Sequence, residues 1–130
     1  MFYIYKATCI SPQQTFGAVD LDTLRESADN KLQALEPRYE GIPANVLRRM
    51  SKTVKLGITA AMPLIEAEHS PQGIIMGSGN GGMEESGQFL NQIVEYDEDM
   101  LTPGNFVQST PNTVTSQLCL LLKRREYNIT

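Results

Sequence analysis

Apolar and polar positions along the chain switch between two periods, and the switches mark out its elements. From Phe2 to Ile10, Phe2, Ile4 and Lys6 alternate with Tyr3, Tyr5 and Ala7. Both sides are mostly apolar, which predicts a strand covered on both faces, as in a parallel sheet. Ser11-Pro12 stops it. A polar excursion at about 15–42 follows, in which Leu24, Ala28, Leu32 and Leu35 predict a helix over Asp22–Leu35, closed by Pro37 and the loop Gly41-Ile42-Pro43.

Ala44–Glu68 carries the strongest helical signal. Val54, Ile58, Ala61 and Ile65 form one stripe, and Leu56, Ala60, Leu64 and Ala67 a second. A helix apolar on more than one side is expected to be deeply buried. Pro63 should kink it. Arg48, Arg49 and Lys52 have the wrong sign for a helix N-terminus. Regular helix is therefore expected from Ser51, with the arginines in a preceding turn or serving as a docking point for an anionic partner.

Gly73–Gly77 predicts a short strand, followed by a glycine-crowded turn and a helix over Met83–Tyr96, with Glu84 and Glu85 suiting its N-terminal dipole. Asp97-Glu98-Asp99 reads as a solvated turn. Thr110 and Pro111 suit the N-cap and N1 positions of a last helix, whose buried stripe is Val114, Leu118, Leu121 and Leu122. Lys123, Arg124 and Arg125 close that helix, and Tyr127–Thr130 opens a final strand. The order is β-α-β-α-β, a mainly parallel α/β layer with right-handed crossovers and Gly73–Gly77 between the first strand and the last.

Composition narrows the function classes. A chain of 130 residues suits one domain with a real core. A formal charge of −4 argues against nucleic acid or an anionic membrane as partner. No apolar run is long enough to span a bilayer, and Met-Phe-Tyr-Ile-Tyr-Lys lacks the features of a secretion signal, so a cytoplasmic location is expected. Cys9 and Cys119 lie among apolar residues, where free thiols are expected. With His69 they are too few for a zinc site, so no metal is expected. His69 itself sits beside a turn signal and reads as a loop histidine.

The glycine turn is the most distinctive stretch. Gly77, Gly79 and Gly82 satisfy G-x-G-x-x-G, with Gly81 between them, and the turn lies between a strand and a helix as a dinucleotide fingerprint requires. Two features count against that nucleotide-binding α/β reading. The acids at Asp97–Asp99 follow the helix before any strand, and Glu84 and Glu85 would crowd a pyrophosphate. Ser78 does not sit in a nucleophile elbow, since the spacing is not G-x-S-x-G.

Set in order, several segments resemble the N-terminal half of the β-ketoacyl synthases. They are Leu47-Arg48-Arg49-Met50-Ser51, Ala60-Ala61, Gly73-Ile74-Ile75-Met76-Gly77-Ser78-Gly79, Gly81-Gly82, Thr102-Pro103, Phe106-Val107, Ser109-Thr110 and Asn112-Thr113-Val114-Thr115-Ser116-Gln117-Leu118. The similarity is greatest to the divergent bacterial synthase-like branch associated with polyene-type pigments and fatty-acid-like pathways. It implies the N-terminal half of a thiolase-like fold, incomplete in this chain. It also implies fatty-acid or polyketide chain elongation by decarboxylative Claisen condensation on an acyl carrier protein, without a cofactor. In that chemistry a cysteine at a helix N-terminus takes the acyl group and two histidines assist.

The family's nucleophile follows the strand that corresponds to Tyr127–Thr130, and its histidines belong to the second half. Chain 1–130 is thus expected to stop before the nucleophile, to hold no catalytic residue and to be incompetent alone. Glu126-Tyr127 also departs from the Gly-Pro that often precedes the third strand in the family. Phe106 and Val107 correspond to a segment lining the acyl channel and the dimer contact, and become the pocket or interface candidates. Gly77, Gly79, Gly81 and Gly82 become a structural turn. Expected partners are an acyl carrier protein or a synthase chain, in a homo-oligomer or heterodimer. A non-catalytic subunit of chain-length-factor or scaffold type is the alternative.

Overall fold

The structure, a computed structural model, describes residues 1–65, 71–96, 101–125 and 127–130. His69 and the acidic cluster Asp97–Asp99 lie outside the described residues. Two helices crossing near the middle of the fold hold its core. Helix α1 (Ala44–Leu47) is a single turn. Helix α2 (Lys52–Ala61) starts afresh because Ser51 is extended and its hydroxyl accepts a hydrogen bond from Val54 N at 3.3 Å. That bond satisfies one of the donors a helix start leaves open. The arginines therefore occupy the turn before α2, as their charge requires. At the far end Pro63 terminates the α-helix instead of kinking it, and Met62–Leu64 forms a single 3-10 turn.

Helix α5 (Thr113–Leu121) packs across α2. Val54, Ile58, Val114 and Leu118 meet at the crossing, with Ile42 and Met50 closing its edge. Ile58 is fully buried, a burial that stabilises by about 1.5–3 kcal/mol. The helices approach closely because position 57 is glycine. A Cβ built there would lie 2.6 Å from a Val114 methyl.

Strands β1 (Gly73–Ile75) and β2 (Tyr127–Ile129) pair in parallel, in register Gly73↔Tyr127, Ile74↔Asn128 and Ile75↔Ile129. Between them the chain runs through α3 (Met83–Tyr96) and α4 (Pro103–Gln108) before α5. Crossovers through helices are what parallel pairing demands. The bounds of α3 agree with the sequence reading, as does the final strand.

Further expectations are corrected. Phe2–Ile10 forms no strand, and Phe2, Tyr3, Ile4 and Tyr5 are exposed. Among the described residues the sheet has only β1 and β2. A side chain still ties the segment down, since the Thr8 hydroxyl donates to Ala60 O at 2.6 Å. The helix expected over Asp22–Leu35 is replaced by irregular chain with one 3-10 turn at Ala28–Asn30. Asp29 and Asn30 there take left-handed φ values of 57° and 53°. Leu24 and Leu32 remain exposed, so the helical stripe has nothing to pack on.

The last helix starts at Thr113 with Asn112 as its N-cap, not at Thr110-Pro111. The Thr110 and Thr113 hydroxyls both donate to Val107 O, which closes a turn between α4 and α5. Helix α4 was not anticipated, because its six residues are too short to show a period. Finally, Cys119 is buried as expected, whereas Cys9 is exposed.

Candidate functional site

The glycine turn leaves β1 when Met76 N donates to Ile129 O at 2.9 Å, which extends the pairing by one bond. Ser78 then serves the turn itself: its hydroxyl accepts from Gly81 N at 2.9 Å. Gly81 and Gly82 have φ of 51° and 76°, a region that residues with a Cβ enter only at a cost. Met83 N donates to Asn80 O, and α3 begins. Cβ atoms built at Gly77, Gly79 and Gly81 would meet no other atom within 4 Å. Conformation at Gly81 and Gly82 is thus what the geometry requires of the four glycines.

Helix α4 sits against this turn. The Ser86 hydroxyl donates to Ser109 O at 3.0 Å, and Asn105 Nδ2 donates to Gln92 Oε1 at 2.8 Å. Phe106 packs on α3, its ring 5.6 Å from that of Phe89 and tilted by 59°. Even so, Phe106 stays 57% exposed and Val107 46% exposed. The two candidates therefore present a half-covered apolar edge beside the glycine turn.

Gln108, on the same short helix, escaped the sequence reading. Its Oε1 accepts from Ser51 N at 2.7 Å, and its Nε2 donates to Arg49 O. One amide thus fixes the backbone that carries the arginine pair. Nothing in the local sequence marks this glutamine, because both partners lie more than fifty residues away.

Arg48, Arg49, Glu85, Gln88, Asn105 and Gln108 line an open notch of about 210 Å³. Both arginines are exposed. Glu85 Oε2 is buried without a hydrogen-bond partner among the described residues. The notch can receive an anionic or polar group at its arginine side.

The cavity beside the glycine turn is far smaller. Lined by Met76, Ser78, Gly82, Glu85, Gln108 and Thr113 among others, it measures about 20 Å³. Small-molecule sites run to roughly 300–1,000 Å³. Size, and the glutamates in the first turn of α3, both argue against a pyrophosphate there. A larger open cavity of about 330 Å³ lies in the polar excursion, between Ile10–Phe16 and Leu35–Arg38. Among the described residues no group of three His, Cys, Asp or Glu side chains is placed to hold a metal ion. Among them, too, no helix is long and apolar enough to cross a membrane.

Comparison with known proteins gives this arrangement a context. A family model described as "Beta-ketoacyl synthase, N-terminal domain" matches residues 23–128. No protein of curated function matches the chain. A chain of the solved structure "Ketosynthase (ApeO) in Complex with its Chain Length Factor (ApeC) from Xenorhabdus doucetiae" is similar in fold, with a TM-score of 0.72 and 19% identity. The match covers 97% of this chain and 52% of that one, so the present chain spans about half the length of its structural relative.

Proposed function

The chain belongs to the β-ketoacyl synthase family as an N-terminal domain, and from that membership we propose that it contributes this part of a condensing system that elongates acyl chains on an acyl carrier protein. The observation that carries the reading is the family match over 23–128, joined to a fold in which β1 and β2 pair in parallel and α2 crosses α5. Family chemistry needs a cysteine nucleophile after the strand equivalent to β2 and two histidines from the other half of the fold. Residues 1–130 alone do not condense acyl units. A cytoplasmic location is part of the same proposal.

Phe106 and Val107 are the candidates for the acyl channel or the contact with a partner chain, and their partial exposure supports that role. Arg48 and Arg49 are the candidates for meeting the carrier. Their notch lies on the side of the fold where Gln108 immobilises the backbone, and exposed guanidinium groups suit an acidic protein surface.

A subunit of chain-length-factor or scaffold type is the second reading. It is favoured by the similarity to a structure in which a ketosynthase is held with such a factor. The residue at the nucleophile position after β2, read from the coding sequence, separates the two. Cysteine there supports the synthase, and any other residue supports the partner.

Heteronuclear shift mapping with an acyl-loaded carrier tests the common part of both readings. Perturbations are expected around Arg48, Arg49 and Gln108, to be lost on charge reversal at Arg48 and Arg49. A malonyl-loaded carrier should release no carbon dioxide with this chain. Carbon dioxide release, or shifts confined to other faces, would overturn the proposal.

A further inference from the structure

One asparagine in the chain differs from the others in both its neighbour and its setting. Asn80 alone is followed by glycine, whereas Asn30, Asn45, Asn91, Asn105, Asn112 and Asn128 precede Lys, Val, Gln, Phe, Thr and Ile. The neighbour matters because a backbone nitrogen can fold back onto the side-chain amide before it. Only glycine brings no Cβ to hinder that approach.

The fold sharpens the contrast. Asn45, Asn91 and Asn105 lie inside α1, α3 and α4, and Asn128 lies inside β2. Asn112 caps α5, and after Asn30 the Lys31 nitrogen is bonded to Ala28 O at 3.1 Å. Regular backbone and bonded nitrogens resist the rotation that attack requires. Asn80 is instead exposed, in the turn between β1 and α3. Gly81 has open space where a Cβ would be, with nothing within 4 Å. Its nitrogen donates to the Ser78 hydroxyl at 2.9 Å in an exposed bond, and such a bond opens roughly one time in ten.

We propose that Asn80-Gly81 is a site of spontaneous deamidation, with water as the co-reactant. The Gly81 nitrogen gives its proton to solvent and attacks Asn80 Cγ. The new N–Cγ bond closes a succinimide, and the side-chain nitrogen takes a proton and leaves as ammonia. Water then adds to either imide carbonyl and breaks its bond to nitrogen, giving aspartate or isoaspartate at position 80. Either product adds one negative charge ahead of Glu84 and Glu85. In the isoaspartate the main chain runs through Cγ, and the old carbonyl becomes a free carboxylate. The Asn80 O that now accepts from Met83 N at 2.9 Å is then no longer part of a peptide, so the turn that starts α3 loses its closing bond. None of this depends on a condensing role.

The intact chain, held in neutral to mildly alkaline buffer and sampled by peptide mass mapping, tests the proposal. The peptide containing Asn80 should gain one mass unit before any other asparagine peptide does, and faster as pH rises. Isoaspartyl methyltransferase should label that same peptide. Asn80→Gln, a change at an exposed side chain, should abolish both signals, with circular dichroism verifying that the variant folds. The proposal is overturned if Asn80 converts no faster than the other asparagines. It is equally overturned by a product that is aspartate alone, or by a rate that grows toward low pH, since both mean direct hydrolysis without the Gly81 nitrogen.

Discussion

Replacing Gly57 by alanine sets two effects of opposite sign against each other at the α2–α5 crossing. Helix propensity favours the change by about 1 kcal/mol. Packing opposes it. The new Cβ would sit 2.6 Å from Val114 Cγ1, where carbon atoms prefer about 3.5–4.0 Å. Valine has one strongly preferred rotamer in a helix, so the methyl cannot simply rotate away. Ile58 and Thr115 beside the contact are at most 1% exposed, which leaves no free volume to absorb the shift. The helices must separate by roughly 1 Å, an overpacking that costs about 1–3 kcal/mol.

With the methyl unable to rotate away, the cost falls in the upper part of that range, about 2–3 kcal/mol, and against the gain of about 1 kcal/mol it leaves a net loss of about 1–2 kcal/mol. For a chain of this size that is a fall in Tm of about 4–8 °C. Urea unfolding followed by circular dichroism, together with calorimetry, measures both. Val114→Ala removes the methyls that clash, so the double variant should be more stable than the sum of the single losses, by about 1 kcal/mol. A Gly57→Ala protein as stable as the parent, or strict additivity with Val114→Ala, would refute the close-approach argument.

Other perturbations follow from single contacts. Ser51→Ala removes the α2 cap and should cost about 1 kcal/mol in urea unfolding, with Ser51→Asp retaining most of it. Ile58→Ala, at a fully buried position, should cost about 2–5 kcal/mol by the same measurement. Tyr39 is pushed up to about 12, first by burial and then by its hydrogen bond to Glu36. Because the folded value is raised, its contribution is complete below the ordinary phenol value of 10.0 and is lost as pH rises toward 12. Ultraviolet titration should show Tyr39 ionising late, moved partway down by Glu36→Gln. Glu36 is held below its ordinary 4.5, first by its bond to Lys52 and then by Tyr39. Its contribution is therefore present above 4.5 and fades as pH falls through the lowered value. Carboxyl resonances followed by NMR should shift upward in pKa in Lys52→Met.

The chain's periodicity by itself determined α3, the body of α2, the paired strands β1 and β2, and the turn that holds the arginines ahead of Ser51. These signals are local: apolar spacing, a capping serine and charge at a helix start act within a few residues. The same local signals failed where the outcome depended on a distant partner. Phe2–Ile10 has the composition of a buried strand, but extended backbone becomes sheet only when another strand offers its hydrogen bonds. Leu24, Ala28, Leu32 and Leu35 have helical spacing without an apolar surface opposite them, so nothing offsets the entropy of ordering the helix. At the site, order and spacing of the motifs identified the family, while tertiary structure decided how its parts meet. Only the fold brings Gln108 to Ser51 and Arg49, sets Gly57 against Val114 and shows that Gly81 and Gly82 serve the conformation of their turn. Those facts arise from contacts between residues far apart in sequence, and their geometry exists only once the core has formed.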